Sequence, residues 1–140
     1  LEKTTGERFE IKDGKIFNLA FDIDIYVDNI NDNQIANGVI NVVKKYFDVN
    51  NSEMNKDVFI GKLQTEILSV SGVVNVIDIS VYNKVGNGYS HNTISQEISD
   101  VETGKILLIN NTIYSSEDSM FEIKYPEKDI KILMRKNVEI

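Results

Sequence analysis

The sequence predicts an α+β fold: a mostly antiparallel sheet with a strand-helix-helix-strand core, two helices on one face, and a C-terminal β/loop extension. Three observations carry this expectation. From Ile16 to Asp28, the residues Phe17, Leu19, Phe21, Ile23, Ile25 and Val27 alternate unbroken with Asn18, Ala20, Asp22, Asp24, Tyr26 and Asp28. A period of two over that length marks a long strand, buried on one face and wet on the other. Downstream, two stretches repeat apolar residues at three- and four-residue steps, and a second alternating run follows them. Strand, helix, helix, strand places both helices on one side of a sheet whose two long strands are expected to lie antiparallel.

The elements follow in order. In FEIKDGKIF, Asp13-Gly14 separates two short alternating runs and predicts a two-residue hairpin leading into the long strand, because a type I′ turn needs positive φ at both centres. DNIND offers Asn31 or Asp32 as a helix N-cap. Ile35, Ala36, Val39, Ile40, Val43, Tyr46 and Phe47 then form one helical face ending near Asp48, with Lys44 and Lys45 expected in the last turn, where cations suit the helix dipole. A second helix is expected from about Ile60 to Ser71, with Leu63, Ile67 and Val70 on its buried face and Gly72 as its stop; Asp57–Ile60 could be extended before it. Val73 to Tyr82 is the second long strand, with Ile77, Ile79 and Val81 sharing a face.

After Lys84 the pattern weakens. VGNGYSHN reads as a loop and a flexible connector, Ser95–Asp100 as a short extended segment, and Lys105–Ile109 as a strand. Asn110-Asn111 is expected to turn the chain into Thr112–Tyr114. Phe121, Ile123 and Tyr125 alternate until Pro126 interrupts them, and Ile130 and Ile132 resume the pattern. The chain is expected to form one structural unit: residues 1–85 give the hairpin and core, and 86–140 an extension with too few apolar residues to fold alone. That extension must pack on the core or on a partner chain.

Composition narrows the function. The 140 residues carry a net charge of −7, which argues against nucleic acid or an anionic membrane as partner, since no basic stripe is available to neutralise phosphates. The chain has no cysteine and one histidine, His91, so thiolate metal sites and disulfides are excluded and a histidine cluster is not expected. No apolar run approaches the ~20 residues of a membrane span, and no signal peptide is visible. Leu1 in place of an initiating Met suggests a fragment or a processed product.

The candidate sites read better as architecture than as chemistry. Asp22, Asp24 and Asp28 align on the wet strand face and could hold a hard cation or supply an acid and base. A solvated strand face explains them more simply, and the distal Glu and Gly turn of a calcium loop are missing. Gly86-Asn87-Gly88 lacks the spacing of a phosphate-binding loop. His91 has no fixed partner and reads as an exposed polar residue. Tyr114, Phe121 and Tyr125 are candidate interface residues, although core positions explain Phe121 and Tyr125 equally well. No catalytic, cofactor or metal-binding motif is found.

Several segments taken in order carry a resemblance: IKDGKI before IFNLAFDIDIYV, then KKYFDV, GKLQTEILSVSGVVNV, ISVYNKVGNGYS and IYSSEDSMFEIKYPEKDIKI. Together they resemble the C-terminal region of the baseplate wedge proteins of T-even-like contractile-tailed bacteriophages, within the wider baseplate J-like family. The most specific pieces are Ile11–Gly14, Ser71–Val74, and Phe121–Pro126 with Asp129-Ile130, at their distance from GNGYS. Ile94–Asn111 and the closing LMRKNVEI depart from the pattern. The resemblance implies a viral structural protein of the virion tail baseplate, assembled in the host cytoplasm, that dimerises and contacts other wedge proteins. It implies no enzyme activity, cofactor or small-molecule substrate. Two other functions fit the residues alone: a small-molecule-binding regulatory α+β domain using the open sheet face or the GNGYSH loop, and a hydrolase using Asp22 and Asp24, ~6–7 Å apart on one strand face.

Overall fold

The computed structural model describes residues 15–30, 32–50, 56–116 and 118–136. The elements run β1 (Lys15–Val27), α1 (Asn33–Asn50), β2 (Val58–Phe59), α2 (Ile60–Leu68), β3 (Val73–Lys84), β4 (Ile98–Asp100), β5 (Lys105–Ile106), β6 (Thr112–Ile113), β7 (Ser119–Glu122), α3 (Pro126–Asp129) and β8 (Ile130–Lys136). The fold is α+β with a mostly antiparallel sheet, as the sequence predicts. The hairpin expected at Asp13-Gly14 lies outside the described residues, apart from the strand that follows it.

β1 is the centre of the main sheet. Phe17, Leu19, Phe21, Ile23, Ile25 and Val27 are all buried, while Asp22 is exposed and Asp24 and Tyr26 are half-buried. On one edge β1 pairs antiparallel with β3, Phe21 opposite Val81 and Ile23 opposite Ile79. On the other edge two strands lie in series and parallel to it: β7 against Lys15–Asn18, then β8 against Phe21–Val27. β5 and β4 extend the sheet beyond β3. A separate ribbon joins β2 to β6.

α1 and α2 cover the apolar face. The carboxylate of Asp32 accepts from the backbone N–H of Gln34 at 2.9 Å and so caps the helix, while Asn31, the other expected cap, lies outside the described residues. Ile35, Val39, Val43 and Phe47 of α1 and Ile60, Leu63 and Ile67 of α2 join the β1 residues in one core. Phe47 packs against Phe21 with ring centroids 5.4 Å apart. α1 continues to Asn50, so Lys44 and Lys45 lie before its last turn, and Lys44 instead approaches Glu127 at 3.5 Å. α2 ends at Leu68, three residues earlier than expected. Gly72 follows in the left-handed region at φ +96°, where a Cβ would come within 2.6 Å of Ile35 Cδ1.

The second long strand departs from its expected alternation. Ile79 and Val81 are buried, but Ile77 is 40% exposed. The register steps from Asp24↔Asp78 to Ile25↔Val76 and later from Tyr26↔Asn75 to Val27↔Val73, so Ile77 and Val74 are extra residues at two bulges. Each bulge shifts the phase by one, which brings Val76 and Val73 to the core side and turns Ile77 and Val74 out.

The last third packs on the core. Phe121, Ile123 and Ile130 are buried in the common cluster. Phe121 is a core residue and not an interface residue: it is 4% exposed, and its ring lies 5.9 Å from that of Phe17, its register partner. The KILLI stretch forms only two strand residues, because Leu107 and Leu108 leave the ladder before Ile109 bridges to Thr112. Asn110 and Asn111 both take positive φ, 55° and 56°, and close that bridge as a two-residue turn.

Replacing Phe121 by Ala is expected to cost about 3–5 kcal/mol in urea denaturation, as for other buried aromatics. Tyr114→Ala, at a residue 43% exposed, is expected to stay within about 0.5 kcal/mol.

Candidate functional site

Helices cover the inner face of the sheet, and the outer face is open. Its three long strands present Ala20, Asp22, Asp24 and Tyr26 from β1, Asp78, Ser80, Tyr82 and Lys84 from β3, and Lys131, Leu133 and Arg135 from β8. Three acids and three bases make this face neutral, on a chain whose net charge is −7.

Towards the end where β3 bulges, exposed apolar side chains stand among the charged ones. Val74, Ile77 and Leu133 are 48%, 40% and 52% exposed. Around them the charges are tied down: Arg135 Nε donates to Asp24 Oδ1 at 2.8 Å, and Ser80 Oγ to Asp78 at 3.1 Å.

The near end is a groove of about 270 Å³ lined by Ala20, Asp22, Tyr82, Lys84, Glu102, Thr103, Asp129 and Lys131. Its position follows from the strand order. β7 leaves β1 after Asn18 and β8 joins it at Phe21, so no strand pairs with Leu19 and Ala20 on that edge. The small side chain of Ala20 adds depth. The turn from β4 to β5 brings Glu102 and Thr103 to the opposite wall. That turn requires Gly104, at φ +79°, because a Cβ there would stand 2.5 Å from the carbonyl oxygen of Asn83. Tyr82 donates its hydroxyl to Asp22 at 3.0 Å, and burial followed by this hydrogen bond raises its pKa.

Beside the groove lies a polar clasp. Tyr89 donates its hydroxyl to both carboxylate oxygens of Asp129, at 3.0 and 2.8 Å, with both residues buried. Burial, then the hydrogen bond to Asp129, pushes the Tyr89 pKa up to about 12. Gly86, Asn87 and Gly88 all take positive φ and fold the loop so that Tyr89 points inward. This loop is pinned rather than a flexible connector: Ser90 N–H donates to Asn18 Oδ1 at 2.7 Å, and its hydroxyl to the Ile16 carbonyl at 2.6 Å. The Tyr125 ring packs edge-on against Tyr89 at 5.4 Å, and Lys128 lies over both rings.

The candidate residues read from the sequence separate. Tyr125 is 40% exposed and borders an open hollow of about 520 Å³ with Asn87, Lys124, Pro126, Glu127 and Lys128. Tyr114 is exposed near the Asn110-Asn111 turn, where its hydroxyl accepts from Asn110. Phe121 is inside. Asp22 and Asp24 do share the outer face, each bound to a neighbouring side chain, and His91 is exposed. Among the described residues, no group of three or more His, Cys, Asp or Glu side chains is placed to hold a metal ion. Sequence reasoning missed Tyr89, Asp129, Lys84 and Lys131; the one available signal was an acid, Asp129, set directly before the alternating run of β8.

No protein-family model matches the chain, and no curated protein matches it.

The Tyr89–Asp129 clasp has a pH signature. The folded state holds the Tyr89 proton to about pH 12, whereas an unfolded tyrosine loses it near pH 10. Between those values the unfolded chain binds fewer protons, so stability falls as pH rises. Thermal melts across pH 9 to 12 are expected to show a steeper loss for wild type than for Tyr89→Phe. At pH 7 that variant is expected to lose about 1–3 kcal/mol, because Asp129 stays buried without its donor.

Proposed function

We propose that the chain is a structural component of a contractile phage-tail baseplate: the C-terminal assembly domain of a wedge protein, mediating self-association and wedge-to-wedge contacts. One observation carries the reading. FEIKYP with the following DI, one of the most specific pieces of the resemblance, meets GNGYS, the stretch whose distance from it carries the match, through the buried Tyr89–Asp129 hydrogen bond. Their shared residues are therefore framework: Phe121 and Ile123 fill the core, Pro126 opens the one-turn helix, and Asp129 closes the clasp. A motif of this kind preserves a shape that other chains dock on.

The outer sheet face is the contact surface that best suits this role. It offers exposed Val74, Ile77 and Leu133 beside balanced charge, and a two-fold contact between copies would place like patches together. Stable pairing requires roughly 1,200–2,000 Å² buried in total, within reach of a six-stranded sheet. A small-molecule-binding regulatory domain is the second reading, and the groove over Ala20 is the observation that favours it.

Light scattering on the chain is expected to give a dimer. Leu133→Glu and Ile77→Glu, both at exposed positions, are expected to give folded monomers whose melting temperature no longer rises with protein concentration. A wild-type monomer at all concentrations would remove self-association. A side-chain-resolution reconstruction of the tail lacking this fold in its baseplate ring would remove the assignment itself.

A further inference from the structure

We propose that the groove over Ala20 binds a small zwitterion, a molecule bearing one ammonium and one carboxylate group, with the ammonium on Asp129 and Asp22 and the carboxylate on Lys84 and Lys131. The site is independent of the baseplate reading and lies away from the bulged end of β3 that exposes Val74 and Ile77.

The first observation is Asp129. The residue is 4% exposed, yet among the described residues its carboxylate accepts one hydrogen only, that of the Tyr89 hydroxyl shared between its two oxygens. An ionised carboxylate can accept about four hydrogen bonds, and a buried charge so thinly compensated is costly. Asp129 is among the residues that line the groove, so a donor entering there has its unused acceptor capacity within reach. The second observation is the opposite sign on the same walls. Lys84 and Lys131 have no carboxylate partner among the described residues; Lys84 lies 5.6 Å from the Tyr89 ring centre instead. Asp22 is held by Tyr82, which fixes its orientation towards the groove.

These features choose between ligands. A simple amine would satisfy Asp129 and leave both lysines facing it. A simple carboxylate would meet the lysines but confront Asp22, Glu102 and Asp129. A metal ion lacks a ligand set here, and the lysines would repel it. A zwitterion meets both signs. The volume of about 270 Å³ falls just under the ~300–1,000 Å³ of pockets that take drug-sized ligands, which suits a molecule of free amino-acid size.

The test is an NMR titration of the ¹⁵N-labelled chain with glycine, γ-aminobutyrate and 6-aminohexanoate, which differ in charge separation, beside butylamine and butyrate. At least one zwitterion is expected to give saturable shifts centred on Ala20, Asp22, Tyr82, Lys84 and Lys131, with the single-charge analogues at least about tenfold weaker. Ala20→Leu, which fills the groove, is expected to abolish those shifts. Lys131→Gln, at an exposed side chain, is expected to reduce zwitterion affinity to that of butylamine, and it decides the matter if Ala20→Leu does not fold. Ile77→Glu is expected to bind as wild type does, whatever its oligomeric state. The proposal is overturned if no zwitterion gives saturable shifts, if butylamine binds as well as the best zwitterion, or if Lys131→Gln binds like wild type.

Discussion

A strand has two edges, and in this protein β1 must serve three neighbours with them. Its 13 residues are more than twice the usual strand length, so one edge can take β7 and β8 end to end while the other takes β3. Everything packed on the inner face depends on this arrangement, because only a strand flanked on both sides presents Phe17 to Val27 as a continuous buried row. The helices could not cover a lone ribbon of that length. α1 and α2 are therefore supported by β7 and β8, from Ser119 to Lys136 far downstream, and β1 is the shared wall.

Two strands in series on one edge leave a seam, and the polar interactions of the fold gather around it. The chain leaves the sheet after Glu122, turns through Pro126–Asp129 and re-enters at Ile130. Asp129, at the re-entry point, is held by Tyr89, and the loop carrying Tyr89 is tied to the start of β1 through Ser90 and Asn92. Asn18 completes the circuit by donating to Glu122 at 2.9 Å and accepting from Ser90. Where β3 has ended, side chains from this loop supply the donors a strand would have supplied. A buried polar network of this kind is satisfied in one register only, so a slip of β8 along β1 would strand Asp129 without its hydroxyl. The notch above Ala20 is the remaining consequence of the same seam.

How much of this was legible follows from the range of each interaction. The alternation of β1, the helical faces of α1 and α2, the antiparallel β1–β3 pair and the Asn110-Asn111 turn depend on local periodicity or turn chemistry, and the sequence displays them. Ile77 misled because counting by twos assumes a regular ladder, and a bulge changes the parity with no mark in composition. Phe121 stood equally well for core or surface until its strand neighbour was known, and that neighbour, Phe17, is 104 residues away. The Tyr89–Asp129 pair spans 40 residues and joins a Gly-rich loop to a one-turn helix, neither of which carries a periodic signal. The groove was illegible for the same reason: its walls come from β1, β3, the β4–β5 turn and the start of β8.

The closure of the sheet also bears on how the protein could meet its neighbours. The composition of the last third predicts an arm that must pack on the core or on a partner chain. Its Phe121, Ile123 and Ile130 are buried in the common core, while Val101, Leu107, Ile109 and Leu133 stay exposed. Lending such an arm to a second copy would mean stripping β7 and β8 from β1 and exposing the core, so association has to use preformed faces. On a chain of net charge −7, most faces of two copies repel each other. The outer face of β1, β3 and β8 carries no net charge, and its bulged end adds Val74, Ile77 and Leu133. It can approach its own kind without a like-charge penalty and with apolar area to bury. The bulges that broke the alternation of β3 are thus also what turns Val74 and Ile77 out towards solvent.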